Sequence, residues 1–240
     1  MSPLLELAAI CTTSFSTRIK SRPIGSHSPR SRDALADVPT AVFMLKAPVP
    51  GMVKTRLAAA LGPEMACAIY RRMVEHVFAE LPAEWIVEVH GTPPRKLDLL
   101  ASWLGPRAAY RPQCDGDLGA RLIHASETAF ADGAESVVLL GGDCPWQTRA
   151  FFHTAEAALA THDVVIGPAS DGGYTLLAAK KLHRPLFDGI AWSTAGVLAG
   201  TLDRARTVGL RVALLDTLDD VDDLAAWTRA RTEVFRNFPE

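Results

Sequence analysis

The stretch SVVLLGGDCPWQ, residues 136–147, decides the fold class. Its apolar residues run without the polar alternation of a half-exposed strand, which is typical of a strand in a parallel sheet covered on both faces. Gly141, Gly142 and Asp143 follow directly. Because ligands of open α/β sheets bind outside the carboxyl ends of the strands, the stretch predicts a ligand site there.

Asp143 has two interpretations at this point. It follows Gly141 and Gly142, which let a ligand approach the backbone, so it is a candidate ligand of a metal–phosphate group. A helix is also predicted to begin near Pro145, and Asp is a common helix cap before Pro. The stretch alone leaves both interpretations open.

The composition is that of a globular protein. A chain of 240 residues with 48% hydrophobic residues can bury a core without disulfide or metal support. A formal net charge of -2 gives no electrostatic case for nucleic acid or a membrane surface. The four cysteines lack CxxC spacing, which disfavours a zinc site and suits a reducing compartment, so we expect a cytoplasmic protein. No apolar run approaches the ~20 residues of a membrane span.

The first 40 residues differ from the rest of the chain. Ser, Arg and Pro dominate residues 12–32, and hydrophobic periodicity is absent. We therefore predict a flexible tail over residues 1–40 and one domain over residues 41–240. A targeting peptide and an overlong translation start are alternatives for the tail.

Strand and helix patterns alternate along the predicted domain. This alternation predicts βαβ units, and hence a Rossmann-like α/β domain with a mostly parallel sheet and helices on both faces. The predicted strands are 41–46, 85–91, 108–111, 136–140, 163–168, 174–179 and 211–216, and the predicted helices are 63–81, 95–104, 120–131, 148–161, 193–208 and 221–236. Right-handed crossovers then collect the loops after the strands on one sheet edge.

The first of these loops is KAPVPGMVKTRL, residues 46–57. Lys54 and Arg56 follow a glycine in a loop after a strand, where backbone N–H groups and cations can bind phosphates. The loop has neither the Walker nor the GxGxxG spacing, and a solvated basic turn is the alternative. The predicted substrate-binding residues of this loop are Lys46, Pro50, Gly51, Lys54 and Arg56, with Lys54 and Arg56 on the phosphates.

Two other loops carry acids beside glycines. In CDGDLG, Asp117 is interpreted first as a helix cap, and Gly119 allows a nucleotide base or ribose to lie against the backbone. In SDGGY, Asp171 is predicted to face Asp143, and two converging carboxylates repel unless a divalent cation lies between them. A hairpin turn is the alternative for Asp171 and the glycines that follow it.

Two remaining features are assigned to local structure. Trp192 is interpreted as packing, with Ser193 as the cap of the helix that follows. The run LDDVDDL, residues 218–224, lacks the spacing of a calcium loop, so Asp222 and Asp223 are assigned to the positive end of the last helix.

Six motifs in this order resemble one bacterial family. They are PVPGMVKTRL, GDLGARL, GGDCPWQ, GPASDGGYTLL, FDGIAWST and DDVDDL, and the resemblance covers about residues 41 to 228. The chain resembles DUF2064, a family of glycosyltransferase-like proteins with a nucleotide-diphospho-sugar transferase (GT-A) fold. Because fold does not fix function, the reaction is less defined than the family.

The resemblance implies a nucleotide substrate and Mg2+ or Mn2+ as cofactor. Lys54 and Arg56 match the family's KTR motif and would bind phosphates, while Asp143 and Asp171 match its acids and would bind the metal. The predicted substrate-binding residues also include Asp117, Gly119, Gly142, Gly172 and Gly173. Two departures are that Met52 replaces a usual lysine and that Asp143 lies in GGDC rather than in the Asp-x-Asp of many GT-A transferases.

Three functions are consistent with the sequence. The leading hypothesis is metal-dependent glycosyl transfer from a nucleotide-diphosphate sugar, with Asp171 as candidate general base. The alternative is nucleotidyl transfer to a phosphorylated small molecule, since such enzymes share the sheet, a basic first loop and paired acids. A non-catalytic nucleotide-sugar binding module is the third. The sequence gives no oligomeric state.

Overall fold

A computed structural model describes residues 38–236 of the chain. The predicted tail lies outside this range up to residue 37, and Thr40 already belongs to the first strand. Within the described range, no helix has the length and apolarity needed to cross a membrane.

The described residues form an α/β fold. Its strands are β1 (Thr40–Lys46), β2 (Ile86–Thr92), β3 (Ala109–Pro112), β4 (Val137–Gly141), β5 (Val164–Pro168), β6 (Tyr174–Ala179) and β7 (Val212–Leu214). Its helices are α1 (Thr55–Leu61), α2 (Pro63–Glu80), α3 (Leu97–Leu104), α4 (Leu118–Ala131), α5 (Arg149–Ala158), α6 (Val197–Thr207) and α7 (Leu224–Glu233).

The strands form one sheet in the order β3-β2-β1-β4-β6-β5-β7. All neighbours pair in parallel except β6, which is antiparallel to both β4 and β5. The predicted mostly parallel sheet is therefore confirmed. Because β6 returns through a short hairpin, the turn between β5 and β6 lies at the carboxyl ends of the parallel strands.

The core has two layers, one on each face of the sheet. Phe43, Val77 and Phe152 belong to the cluster that α2, α3 and α5 cover. Val42, Leu122 and Ala205 belong to the opposite cluster, under α4 and α6. The alternation of strand residues 42 and 43 between the two clusters explains why β1 is apolar throughout.

A third cluster attaches the last helix to the domain. Val221 and Trp227 pack with Leu57 of α1 and with Ile69 and Met73 of α2. Val221 is fully buried, although it lies in a segment without regular structure. The third cluster therefore fixes the segment before α7 against α1 and α2.

Two predicted helix starts are wrong, and one helix was not predicted. Helix α1 is the additional helix, because no helical pattern was recognised before Pro63. The helix predicted from residue 193 begins at Val197, since Ser193 has a φ of 63°, which is left-handed, and Gly196 is the N-cap. The helix predicted from residue 221 begins at Leu224, so residues 218–223 precede it without helical structure.

Candidate functional site

Four segments meet at the carboxyl edge of the sheet. They are the basic loop after β1, the GGDCP segment after β4, the β5–β6 hairpin and the turn 218–223, named here the C-terminal turn. Two pockets open between them and share Asp143 as a wall. The first pocket, about 320 Å³, is lined by Met44, Leu45, Lys46, Val53, Lys54, Thr55, Arg56, Tyr70, Thr92, Gln113, Leu118, Arg121, Gly142, Asp143 and Asp222.

Lys54 lies at the centre of the first pocket's charge arrangement. Its Nζ is 2.8 Å from Asp222 Oδ1 and 3.2 Å from Asp143 Oδ1, and its side chain is only 5% exposed. Burial would lower the pKa of Lys54, but the attraction of Asp143 and Asp222 outweighs it and raises the pKa above its usual value. Lys54 therefore stays charged and holds two carboxylates from distant segments.

Arg56 is the more accessible cation of the basic loop. Its side chain is 80% exposed, and its Nη1 lies 3.6 Å from Asp222. Lys46 is exposed at the end of β1 and also lines the first pocket. The Tyr70 hydroxyl accepts from the Lys46 N–H at 3.1 Å and donates to its carbonyl at 2.9 Å, which fixes the end of the strand.

Pro50 and Gly51 shape the loop without lining either pocket. Both are exposed, and Gly51 has a φ of 79°, a left-handed value that favours glycine. The structure thus places Lys46, Lys54 and Arg56 together and leaves Pro50 and Gly51 at the turn behind them.

Asp143 does not cap a helix. Helix α5 begins at Arg149, and Thr148 is its N-cap, accepting from the Phe151 N–H at 3.3 Å. The capping alternative is therefore wrong, and the half-exposed Asp143 carboxylate faces both pockets. Its backbone carbonyl accepts from the Val221 N–H at 2.9 Å, which joins it to the C-terminal turn.

The two glycines before Asp143 have different reasons to be small. A Cβ on Gly142 would lie 2.5 Å from Val74 Cγ2, so this glycine is required by packing against α2. A Cβ on Gly141 would meet nothing within 4 Å, and Gly141 lines the second pocket. The two glycines were predicted to leave open space beside a ligand, and this open space lies at Gly141.

The second pocket, about 300 Å³, lies between β4, β6 and α4. It is lined by Met44, Leu118, Leu122, Leu139, Leu140, Gly141, Asp143, Cys144, Ala169, Asp171, Gly173, Tyr174, Thr175 and Asp220. Burial raises the pKa of the Cys144 thiol to about 12, so this group stays protonated and uncharged.

Asp171 serves the hairpin and also faces the second pocket. Its Oδ1 accepts from the Gly173 N–H at 2.8 Å, which is a turn contact. Gly172 has a φ of 89°, and a Cβ there would lie 2.2 Å from the Ala195 carbonyl oxygen. Asp143 and Asp171 line the same pocket, as the position of both loops after strands predicted.

The CDGDLG loop serves packing and capping. Asp117 is the N-cap of α4 and accepts from the Ala120 N–H at 2.8 Å, as its first interpretation predicted. A Cβ on Gly119 would lie 2.7 Å from Trp192 Nε1, so Gly119 is buried beneath Trp192 rather than open to a base or ribose. Leu118 between them lines both pockets.

The C-terminal turn contributes residues that the sequence analysis missed. Asp222 was assigned to the start of the last helix, but it pairs with Lys54 and Arg56, while Asp223 alone caps α7 through the Ala226 N–H at 2.8 Å. Asp220 lines the second pocket. The turn follows β7, which is parallel to β5, so the rule for strand ends applied to it as well.

The pKa values of two acids in the C-terminal turn are shifted in opposite directions by burial and by neighbouring charges. Burial, together with Asp222 and Asp171, raises the pKa of Asp220 to about 6. Partial burial opposes ionisation of Asp222, but the charge and hydrogen bond of Lys54 outweigh it and lower its pKa.

The donor atoms around the second pocket fit a hard divalent cation. Asp143, Asp171 and Asp220 offer carboxylate oxygens, the ligands that Mg2+ and Mn2+ prefer. Among the described residues, no three acids, histidines or cysteines already form a metal-binding group.

Comparisons with known proteins agree with this fold. A structure from Desulfovibrio desulfuricans G20, provisionally named a nucleotide-diphospho-sugar transferase, is 32% identical over 83% of this chain and 90% of that one, with a TM-score of 0.77. A phosphoenolpyruvate guanylyltransferase from Chloroflexus aurantiacus is 27% identical over 194 residues, 74% of this chain and 89% of the relative. A Methanothermobacter nucleotidyl transferase, 17% identical over 84% of this chain and all of that one, has a TM-score of 0.57 and shares the fold.

The fold is that of the nucleotide-diphospho-sugar transferases, which nucleotidyltransferases share. The chain itself belongs to DUF2064, described as an uncharacterized protein conserved in bacteria, whose family model matches residues 74–194.

Proposed function

We propose that the protein is a metal-dependent nucleotidyltransferase that joins a nucleotide to a phosphorylated small molecule and releases pyrophosphate. The observation that carries this proposal is the convergence of a basic first loop with carboxylates from three other segments. Asp143, Asp171 and the pair Asp220 and Asp222 come from separate loops. This arrangement matches the basic loop and paired acids of nucleotidyltransferases better than the single Asp-x-Asp motif of many glycosyltransferases.

The first pocket suits a nucleoside triphosphate. Lys46, Arg56 and Arg121 line it together with the buried Lys54, and cationic side chains bind phosphate oxygens strongly. Lys54 is proposed as a positioning residue, because its charge is already shared by two carboxylates. Arg56, which is largely exposed, is proposed to contact the phosphates directly.

The reaction proposed is an in-line displacement at phosphorus. An oxygen of the acceptor phosphate attacks the α-phosphorus, a new P–O bond forms, and the bond to the bridging oxygen of the leaving pyrophosphate breaks. Since the attacking phosphate is already ionised at neutral pH, no general base is required. The cations of the basic loop stabilise the charge that develops on the leaving group.

A divalent cation would be held by Asp143 together with Asp220 or Asp171. When bound, it would neutralise charge on the α-phosphate and the leaving phosphates. Asp143 is the residue most directly placed for this, because it lies on the wall between the two pockets.

Glycosyl transfer from a nucleotide-diphosphate sugar is the second candidate. It is favoured by the likeness to the Desulfovibrio protein. In that reaction Asp171 would be the general base for an acceptor hydroxyl, because its carboxylate faces the second pocket. A metal role for Asp171 would exclude this role.

The deciding experiment measures which product is released. The purified full chain with Mg2+ or Mn2+ is incubated with each nucleoside triphosphate, GTP first, and a panel of phosphorylated acceptors, and pyrophosphate is quantified. A parallel set contains nucleotide sugars, and released nucleoside diphosphate is quantified. Acceptor-dependent pyrophosphate supports the proposal, and nucleoside diphosphate without pyrophosphate supports glycosyl transfer.

Two controls complete this experiment. EDTA should abolish turnover if a divalent cation is required. Asp143→Asn should abolish it with the cation present, whereas Asp216→Asn makes the same charge change outside both pockets and should leave it intact. Nucleotide binding without any turnover in either set would favour a non-catalytic binding module.

A further inference from the structure

The two pockets have similar volumes but opposite charge. The first is lined by the cations Lys46, Lys54, Arg56 and Arg121 beside two carboxylates. In the second, the described lining contains three carboxylates, from Asp143, Asp171 and Asp220, and no Lys, Arg or His. Because the volumes are about 320 and 300 Å³, the two pockets cannot be matched to the two substrates by size. Their opposite charges provide the basis for matching them.

The remaining wall of the second pocket is apolar. Its lining residues include Met44, Leu122, Leu139, Leu140 and the ring of Tyr174. A ligand there meets apolar surface on one side and carboxylate acceptors on another. Hydroxyl groups can donate to those carboxylates, while C–H surface packs on the apolar wall.

We propose that the second pocket holds the organic part of the acceptor and selects an uncharged polyol such as a sugar. The inference rests on the proposed nucleotidyl transfer. The phosphate of the acceptor would lie toward the cations of the first pocket, and its hydroxyl groups would face whichever of Asp171 and Asp220 the divalent cation leaves free. An acceptor with a carboxylate or a second phosphate would bring like charges together, which disfavours binding.

This selectivity distinguishes the chain from its guanylyltransferase relative. That relative is named for phosphoenolpyruvate, a phosphorylated acid, and such an acceptor would place its carboxylate among carboxylates here. A divalent cation would offset part of the negative charge, so all acceptors are compared at the same saturating Mg2+ concentration.

The first test compares acceptors in the pyrophosphate-release assay. Sugar 1-phosphates are tested against phosphoenolpyruvate and 3-phosphoglycerate with each nucleoside triphosphate. We expect kcat/KM to favour the sugar phosphates by about 100-fold or more, as like-charge contacts of several kcal/mol imply. Equal or better use of the phosphorylated acids would overturn the inference and leave the proposed function standing, whereas no transfer to any acceptor would overturn both.

Gly141→Val tests which substrate occupies the second pocket. The glycine lines that pocket, and a side chain there meets no atom within 4 Å at its Cβ, so the variant is expected to fold. We expect KM for the sugar phosphate to rise about 10-fold and the Kd of the nucleotide, measured by calorimetry, to change less than 2-fold. Weaker nucleotide binding with an unchanged KM for the acceptor would assign the pocket to the nucleotide and overturn the inference.

Leu118→Lys tests whether charge sets the selectivity. Leu118 is 43% exposed and lines both pockets, so a longer side chain can be accommodated there. Leu118→Gln is the matched control without charge. We expect the preference for sugar phosphates over phosphorylated acids to fall about 10-fold in the lysine variant relative to the glutamine variant. An identical preference in the two variants would overturn the inference.

Discussion

The basic loop and the C-terminal turn reach the same site by different routes. The loop lies between β1 and α1, and its glycine and paired cations are conspicuous in the sequence. The turn lies between β7 and α7, and its acids have the pattern of a helix start. Yet Lys54 of the loop contacts Asp222 of the turn at 2.8 Å, across a separation of 168 residues. One part of a site can thus be predicted from a local motif, while another part comes from a sequence that resembles an ordinary helix cap.

Lys54→Met removes the contact between the basic loop and the C-terminal turn, and we expect it to have the largest effect on activity. It leaves Asp143 and Asp222 facing each other without their shared cation, so kcat/KM should fall about 1000-fold. The free energy of unfolding should fall by about 1 to 2 kcal/mol, less than for a fully buried pair, because both carboxylates are half exposed. Steady-state kinetics and urea unfolding measure the two effects.

Lys46→Met is the matched control for this variant. It removes a cation of the same type from the same pocket, but Lys46 is exposed. Its kcat/KM should fall less than 10-fold with unchanged stability. Equal losses in the two variants would contradict the central position of Lys54.

Asp222→Asn separates the two carboxylates that share Lys54. If the turn is part of the site, kcat/KM should fall about 30-fold, because Lys54 loses its nearer partner and Arg56 loses its only contact to that carboxylate. The measurement is the same kinetic assay, with Asp216→Asn as the charge-matched control. Unchanged kinetics would show that Asp222 has a structural role only.

Asp220 provides a pH test of the turn. Its folded-state pKa of about 6 lies above the usual value of 3.8 for an aspartate, so folding favours the protonated form. The contribution of Asp220 to stability should therefore be greatest below about pH 4 and be lost as the pH rises through 6, by about 1.5 kcal/mol after allowance for its partial exposure. Urea unfolding from pH 4 to 7 without divalent cations measures this loss, and Asp220→Asn should remove this component. An identical pH profile in the variant would refute the assignment.

Asp223→Ala should have the smallest effect on activity, which would distinguish Asp223 from the neighbouring Asp222. Asp223 caps α7 through the Ala226 N–H, so its loss should lower the free energy of unfolding by about 1 kcal/mol. The kinetics should stay within 3-fold of those of the unmodified chain. A loss of activity as large as that of Asp222→Asn would show that the two acids act together.

Much of the fold was predictable, because periodicity and strand–helix alternation are local signals. The strand at residues 174–179 was predicted with its observed bounds, and the parallel sheet follows from the alternation. The reversed direction of β6 was not predicted, since direction depends on which strands it pairs with rather than on its own residues.

The candidate site was predictable where motifs follow strands. Asp143 and Asp171 do line one pocket, as the position of both loops after strands predicted. The roles that were not predicted depend on distant contacts. The small size of Gly142 is explained by Val74, that of Gly119 by Trp192, and the role of Asp222 by Lys54. None of these partners is a neighbour in sequence.

The buried Val221, whose N–H donates to the Asp143 carbonyl, has a consequence for synthesis of the chain. When a ribosome has released the chain only as far as residue 216, every strand of the sheet is already available to fold. The segment that carries Asp220, Asp222 and α7 is not. A nascent domain of this length would thus have its sheet without the carboxylate of Asp222 that neutralises Lys54, and the charge arrangement of the first pocket would be complete only after the C-terminal turn had also emerged.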